Sequence, residues 1–141
     1  MTAKEYLSQI QQIELRIQQQ KETLEMLRYA ATSTTARIDT IKVQSSSNHD
    51  RIGEAVVKMA DLENKIQEEI ADAFYRKHEI LNQIQGLNKS LYISILFKRY
   101  LQFIRFEDIA EELSYSYQYI VEMHGKALKA FEKKYQNILQ E

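Results

Sequence analysis

From Ala3 to Ala31 apolar side chains return at Ala3, Tyr6, Ile10, Ile13, Ile17, Leu24, Leu27 and Ala31. The steps alternate three and four, which brings one residue per turn onto a single stripe of an α-helix. Sustained over about four heptads, the stripe predicts a coiled-coil-like helix. Gln20 falls on the stripe, where a polar residue trades stability for register. The next stretch, about 32–47, carries TSTT and SSS. Their hydroxyls compete for backbone hydrogen bonds, so a polar linker is expected. Ser47 with Asp50 three positions on resembles a capping box and predicts a second helix from near Asn48. Its stripe is Ile52, Val56, Met59, Ile66, Ile70, Ala73, Ile80, Ile84 and Leu87. Glu63 and Lys77 interrupt it, with Leu62 and Phe74 beside them as substitutes, and Gly86 sits where a helix C-terminal glycine belongs. Each seam is too narrow to hold a helix alone, because helices gain most of their stability from packing. The pair therefore invites a long helical hairpin over 1–87, closed along Ile10, Ile13, Ile17, Leu24, Leu27, Ile66 and Ile70, which is the favoured reading, with pairing of one or both seams to a second chain as the alternative. A homodimer on its remaining apolar surface is the accompanying expectation.

A different pattern begins near Asn88. Leu91, Tyr92, Ile95, Leu96 and Tyr100 give a short helix with a wide apolar face, hence one mostly buried. After a turn through Phe103 and Arg105 the chain reads FEDIAEEL, then SYS, then YQYIVEMHGKAL. Ile109, Leu113, Tyr115, Ile120 and Met123 are apolar, and the small Ala110 stands where a second helix must come close. This spacing predicts two short helices crossing at a tight turn, a helix-turn-helix. Periodicity continues through Phe131, Tyr135, Ile138 and Leu139, so the last helix outruns a minimal recognition helix and its tail needs a packing partner.

Composition agrees with this all-α reading. The 141 residues include no proline and three glycines, and Gln, Glu, Lys, Leu, Ile and Ala dominate; such a chain lacks the breakers of a turn-rich β fold. With no cysteine, disulfides, thiolate metal sites and a cysteine nucleophile are excluded. No apolar run approaches the ~20 residues of a membrane span, and MTAKEYLSQI lacks a signal peptide's apolar core. A cytoplasmic protein without membrane association is expected. The net charge is −1. Residues 1–87 hold 11 basic and 13 acidic side chains, and residues 88–141 hold 8 and 7. Neither half has the basic excess of a tight non-specific nucleic-acid binder.

The segment LFKRYLQFIRFEDIAEELSYSYQYIVEMHGKALKAF resembles region 4 of bacterial sigma-70 factors. It is more similar still to the late-gene transcription regulators of Gram-positive phages and prophages, which are built on that module. The match rests on Arg99 and Tyr100 closing a helix, on FEDIAEEL, on Ser116 opening the recognition helix, and on KAL at Lys126 to Leu128. Those regulators carry a helical N-terminal half ending in a segment like DLENKIQEEI, here Asp61 to Ile70. The resemblance implies a domain over 88–141 that reads double-stranded DNA in the bacterial host cytoplasm, with RNA polymerase as a further partner. It places Tyr117, Gln118, Val121 and Glu122 at base edges, and Arg99, Arg105, Tyr119, Lys126 and Lys129 at phosphates. Gln is suited to adenine and Glu to cytosine. Sigma-type modules offer arginines here, whereas none of Tyr117, Gln118, Tyr119, Val121 and Glu122 is basic. Ser114 replaces the glycine often found in the turn, and serine accepts positive φ at modest cost.

The rival reading is a helical protein-interaction module whose helix-turn-helix no longer binds DNA. Tyr115, Tyr117 and Tyr119 favour it, since tyrosine is enriched at protein interfaces. Enzymatic activity is not expected. His49, His78 and His124 form no i, i+4 pair for a metal, and no glycine-rich phosphate loop is present. Carboxylate pairs such as Glu68 with Asp72, or Glu111 with Glu112, read as solvated helix faces. No cofactor, metal or small-molecule substrate is expected.

Overall fold

A computed structural model describes residues 1–40 and 46–140, with side chains described for 1–33 and 51–140. The protein is all-helical, with no strand among the described residues. Two long helices, α1 (Ala3–Thr40) and α2 (Ser46–Gln85), precede α3 (Ser90–Leu96), a π-helical turn (Phe97–Leu101), α4 (Phe106–Leu113), α5 (Tyr117–Lys134) and a short α6 (Gln136–Leu139). None of these helices is long and apolar enough to cross a membrane.

Helix α1 opens on a reciprocal capping box. The Glu5 amide donates to Thr2 Oγ1 at 3.1 Å, and the Thr2 amide donates to Glu5 Oε2 at 3.0 Å, which satisfies two of the amides a helix start leaves unpaired. The helix then runs through the stretch expected as a linker from position 32, as far as Thr40. Thr32, the first hydroxyl of that stretch, bonds back one turn, its Oγ1 donating to the Arg28 carbonyl at 2.9 Å, as Thr23 does earlier in the helix to that of Gln19. Helix α2 starts at Ser46, and the expected Ser47–Asp50 cap rests on side chains outside the described set.

The chain divides into two compact units, which do not follow the boundary expected at 87/88: one combines Met1–Leu15 with Tyr75–Glu141, the other is Arg16–Phe74. In the second unit Ile17, Leu24 and Ile66 are buried, and Leu27 and Ile70 are half-buried. The polar interruptions of the stripes here, Gln20 and Glu63, each find a partner on the facing helix. Gln20 Nε2 donates to Glu69, and Arg28 Nε lies 3.0 Å from Glu63 Oε1. Partner numbers fall on α2 as they rise on α1, so the two segments run antiparallel. Leu62 and Phe74 do not substitute on the seam: they are 44% and 45% exposed. Phe74 instead lies under the Lys21 ammonium, 5.4 Å from its ring centroid.

In the first unit, Ala3, Leu7 and Ile10 of α1 and Ile80 and Ile84 of α2 share a core with Leu87, Leu96, Tyr100, Ala127, Phe131 and Leu139. Ile13 packs on its edge. The tail of α5 thus packs on the outer ends of both long helices, which is why the unit takes in residues 1–15. Polar cross-links reinforce the core. Arg76 donates to Gln9 Oε1, Lys77 pairs with Glu14, and Tyr6 Oη donates to Gln83 Oε1 at 2.7 Å. Gly86 directly follows the last residue of α2, as a helix C-terminal glycine should, but its φ is not positive. A Cβ there would lie 2.5 Å from Tyr135 Oη, a hydroxyl held by the Gln83 carbonyl at 2.7 Å. Glycine is needed for close approach.

Candidate functional site

Helices α4 and α5 lie wholly within the first unit, over a second core cluster of Ile95, Ile109, Ala110, Ile120 and Met123. Ala110 is 5% exposed, which meets the requirement for a small residue where the helices come close. The link between them is short and fully determined. Ser114 adopts the left-handed conformation, φ 61 and ψ 40. Its amide donates to the Glu111 carbonyl and the Tyr115 amide to that of Ala110, the paired bonds of a Schellman ending. Ser116 then caps α5, its Oγ accepting from the Tyr119 amide at 3.1 Å.

This start fixes the rotation of α5. Ile120, Met123, Ala127 and Phe131 are buried, spaced three, four and four, and form the inner face. Gln118, Glu122, Lys126, Lys129 and Lys133 follow at helical spacing on the opposite side, and all are exposed. Tyr117, Tyr119 and Val121 are 49%, 37% and 40% exposed on the flanks. Of the nine residues assigned to base edges and phosphates, eight are therefore exposed: Tyr117, Gln118, Val121, Glu122, Arg105, Tyr119, Lys126 and Lys129.

The charges on this face are partly balanced. Lys126 Nζ is 3.6 Å from Glu122 Oε1, with both side chains more than half exposed, a pair worth well under about 1 kcal/mol. Arg105 pairs with Asp108 at 3.3 Å. Tyr115, 47% exposed, stacks against Tyr119 with ring centroids 4.8 Å apart. The first two turns of α5 thus present tyrosines, one amide and one carboxylate, and the cations begin at Lys126.

Arg99, the ninth residue, is half-buried. Its guanidinium lies 4.2 Å from the Phe106 ring centroid, and Nη1 donates to the Ile104 carbonyl at 3.3 Å. Phe106 in turn meets His124 edge-on at 4.7 Å, and His124 Nε2 is hydrogen-bonded to Tyr100 Oη at 2.9 Å. His124 lacks the i+4 partner that a helical metal site needs. Its partners come from the π-helical turn and from α4, which no local pattern reveals. Burial, then the Arg99 and Lys4 charges, lower its pKa from 6.5 to about 4, while burial raises that of Tyr100.

A pH dependence follows. Between pH 6.5 and about 4 the unfolded chain holds a proton on this imidazole that the folded chain does not, so stability falls as pH falls through that window. With an allowance for solvent screening, the His124 contribution lost between pH ~7 and pH ~4 is about 1–2 kcal/mol. Urea melts of the protein and of His124→Gln across that range should differ in slope by this amount. Equal slopes would show that the imidazole is solvated.

Among the described residues no group of three or more His, Cys, Asp or Glu side chains is placed to hold a metal ion. No protein-family model, curated protein or solved structure matches this chain.

Proposed function

We propose that the protein is a sequence-specific, DNA-binding transcriptional regulator of phage or prophage type, in which α4 and α5 form a helix-turn-helix and α5 enters the major groove. The observation that carries the reading is the rotation of α5. Ile120, Met123 and Ala127 turn inward, leaving Tyr117, Gln118, Val121 and Glu122 exposed at the start of the helix, the part that meets base edges in such modules. Gly125 adds to it. Glycine inside a helix costs about 1 kcal/mol, yet no atom lies within 4 Å of where its Cβ would stand. Among the described residues nothing crowds that position, which fits the close approach of a partner.

In this reading Gln118 and Glu122 read adenine and cytosine. Tyr119, Arg105, Lys126 and Lys129 hold phosphates, and Arg99 backs the turn from within. The antiparallel long helices form a hairpin that provides dimerisation or a contact to RNA polymerase in the cytoplasm of the bacterial host. A dimer would address half-sites about 34 Å apart or a multiple of it.

Fragments of phage and host DNA selected at ~0.15 M salt, where weak non-specific binding fades, should converge on a common site. On that site Gln118→Ala should cost about 1–3 kcal/mol and relax preference at one base pair. Lys126→Ala and Lys129→Ala should weaken all sequences alike and each reduce the salt slope by about one. If no fragment is enriched and neither class of variant alters DNA affinity, the reading fails.

The tyrosine cluster favours a second reading. Tyr115, Tyr117, Tyr119 and Val121 are exposed together, and the first two turns of α5 carry no cation. This is the make-up of a protein-binding anchor. An α5 surface that binds a protein partner through Tyr117 and Tyr119, with no enriched DNA site, would select it.

A further inference from the structure

A cavity of about 250 Å³ lies in the first unit, lined by Lys4 and Ser8 of α1, Arg99 and Tyr100 of the π-helical turn, Phe103, Phe106 and His124. Its lining contains two cations and no carboxylate, in a chain whose net charge is −1. Lys4 makes no ion pair with any described residue. The neutral imidazole of His124 leaves the cavity with a charge of two, from Lys4 and Arg99.

The backbone around this cavity departs from regular structure twice. The turn Phe97–Leu101 is π-helical, a form that is rare and frequently found at functional sites. Two residues on, Phe103 adopts φ 58, a left-handed conformation that a bulky residue seldom takes. Glycine or asparagine would serve this turn better. An aromatic ring stands there instead, 44% exposed and bordering the cavity, in neither core cluster. The fold gains little from that ring, and a ligand lying against it would.

We propose that this cavity binds a small aromatic phosphate monoester of nucleoside-monophosphate size, with its phosphate on Lys4 and Arg99 and its ring on Phe103. Two cations match a phosphate monoester, which carries about −1.5 to −2 at neutral pH, better than a single carboxylate. The guanidinium fork suits phosphate oxygens, and the ammonium adds a point charge. The volume lies just below the range of ligand sites, which commonly run from about 300 Å³ upward, and suits a small ligand. The site shares Arg99 with the DNA reading but not its exposed face, since Lys4, Ser8 and Phe103 take no part in that reading.

The test is calorimetric titration of the full chain, without DNA, with AMP and separately with inorganic phosphate. AMP should bind once per chain and more tightly than phosphate. Lys4→Gln removes one charge-assisted contact and should weaken AMP about tenfold or more. Phe103→Gly should weaken AMP while leaving the melting temperature equal or higher, because glycine accepts positive φ freely; this variant separates loss of ligand from loss of fold. The His124 imidazole resonance should shift on AMP addition, as the phosphate offsets the charges of Lys4 and Arg99. No saturation by ~10 mM AMP, weaker than any specific site here should be, would overturn the proposal. So would phosphate binding as tight as AMP, or AMP affinity unchanged in both variants.

Discussion

Phe131→Ala is expected to cost the first unit about 3–5 kcal/mol, the range for a large aromatic removed from a closed core. Phe131 is fully buried. Its ring lies 5.9 Å from that of Tyr6 on α1 and 4.7 Å from that of Tyr135. It therefore joins α5 to α1 and to the end of α2 through Ile80 and Ile84. The neighbouring side chains are anchored elsewhere: Tyr6 is tied to Gln83 Oε1 and Tyr135 to the Gln83 carbonyl. They cannot collapse into the vacated space, which places the expected loss in the upper part of the range. Urea unfolding followed by tyrosine fluorescence, available because the chain has nine tyrosines and no tryptophan, should show a lowered midpoint with little change in slope. A loss below about 1 kcal/mol, the scale of an average substitution, would mean that α5 does not close this core.

The second large effect is expected at Ile120→Ala, about 2–5 kcal/mol, with almost none at Tyr117→Ala three residues earlier. Ile120 is fully buried and shares its cluster with Ile95, Ile109, Ala110 and Met123. It is the first inward residue of α5 and holds the helix at its angle to α4. Tyr117 is about half exposed, and surface truncations of this kind stay within about 0.5 kcal/mol. The contrast tests the rotation of α5 itself, which both readings of the outer face require. In the DNA reading the two variants separate again. Tyr117→Ala should alter site affinity at unchanged stability, whereas Ile120→Ala should lose affinity only as far as it loses fold. A large destabilisation by Tyr117→Ala would place that ring in the interior and remove the basis for any exposed recognition face.

Several features were legible along the chain because they depend on neighbours a few positions away. The helix Phe106–Leu113 follows the FEDIAEEL pattern residue for residue, and Ser116 caps α5 as its position implied. Ser114 takes up the left-handed turn in place of glycine. The pattern TAKE at Thr2–Glu5 also announces the capping box seen there. The polar stretch at 32–40 was the opposite case. Serine and threonine weaken a helix in isolation, yet α1 continues through this stretch to Thr40, with the Thr32 hydroxyl bonded back to the Arg28 carbonyl.

The amino-acid sequence by itself determined the helical class, the buried stripe positions Ala3, Ile10, Ile17, Leu24, Ile66, Ile80 and Ile84 of the long helices, and the inward turn of Ile120 and Met123 in α5, since each follows from spacing at 3.6 residues per turn. Only the tertiary structure decided that residues 1–15 belong with the C-terminal helices, that Gly86 makes room for Tyr135, and that Lys4, Arg99, Phe103 and His124 border one cavity. Those arrangements join residues up to about 120 positions apart in sequence. Contact at that separation is set by how whole helices pack their volumes together, and no local period encodes it.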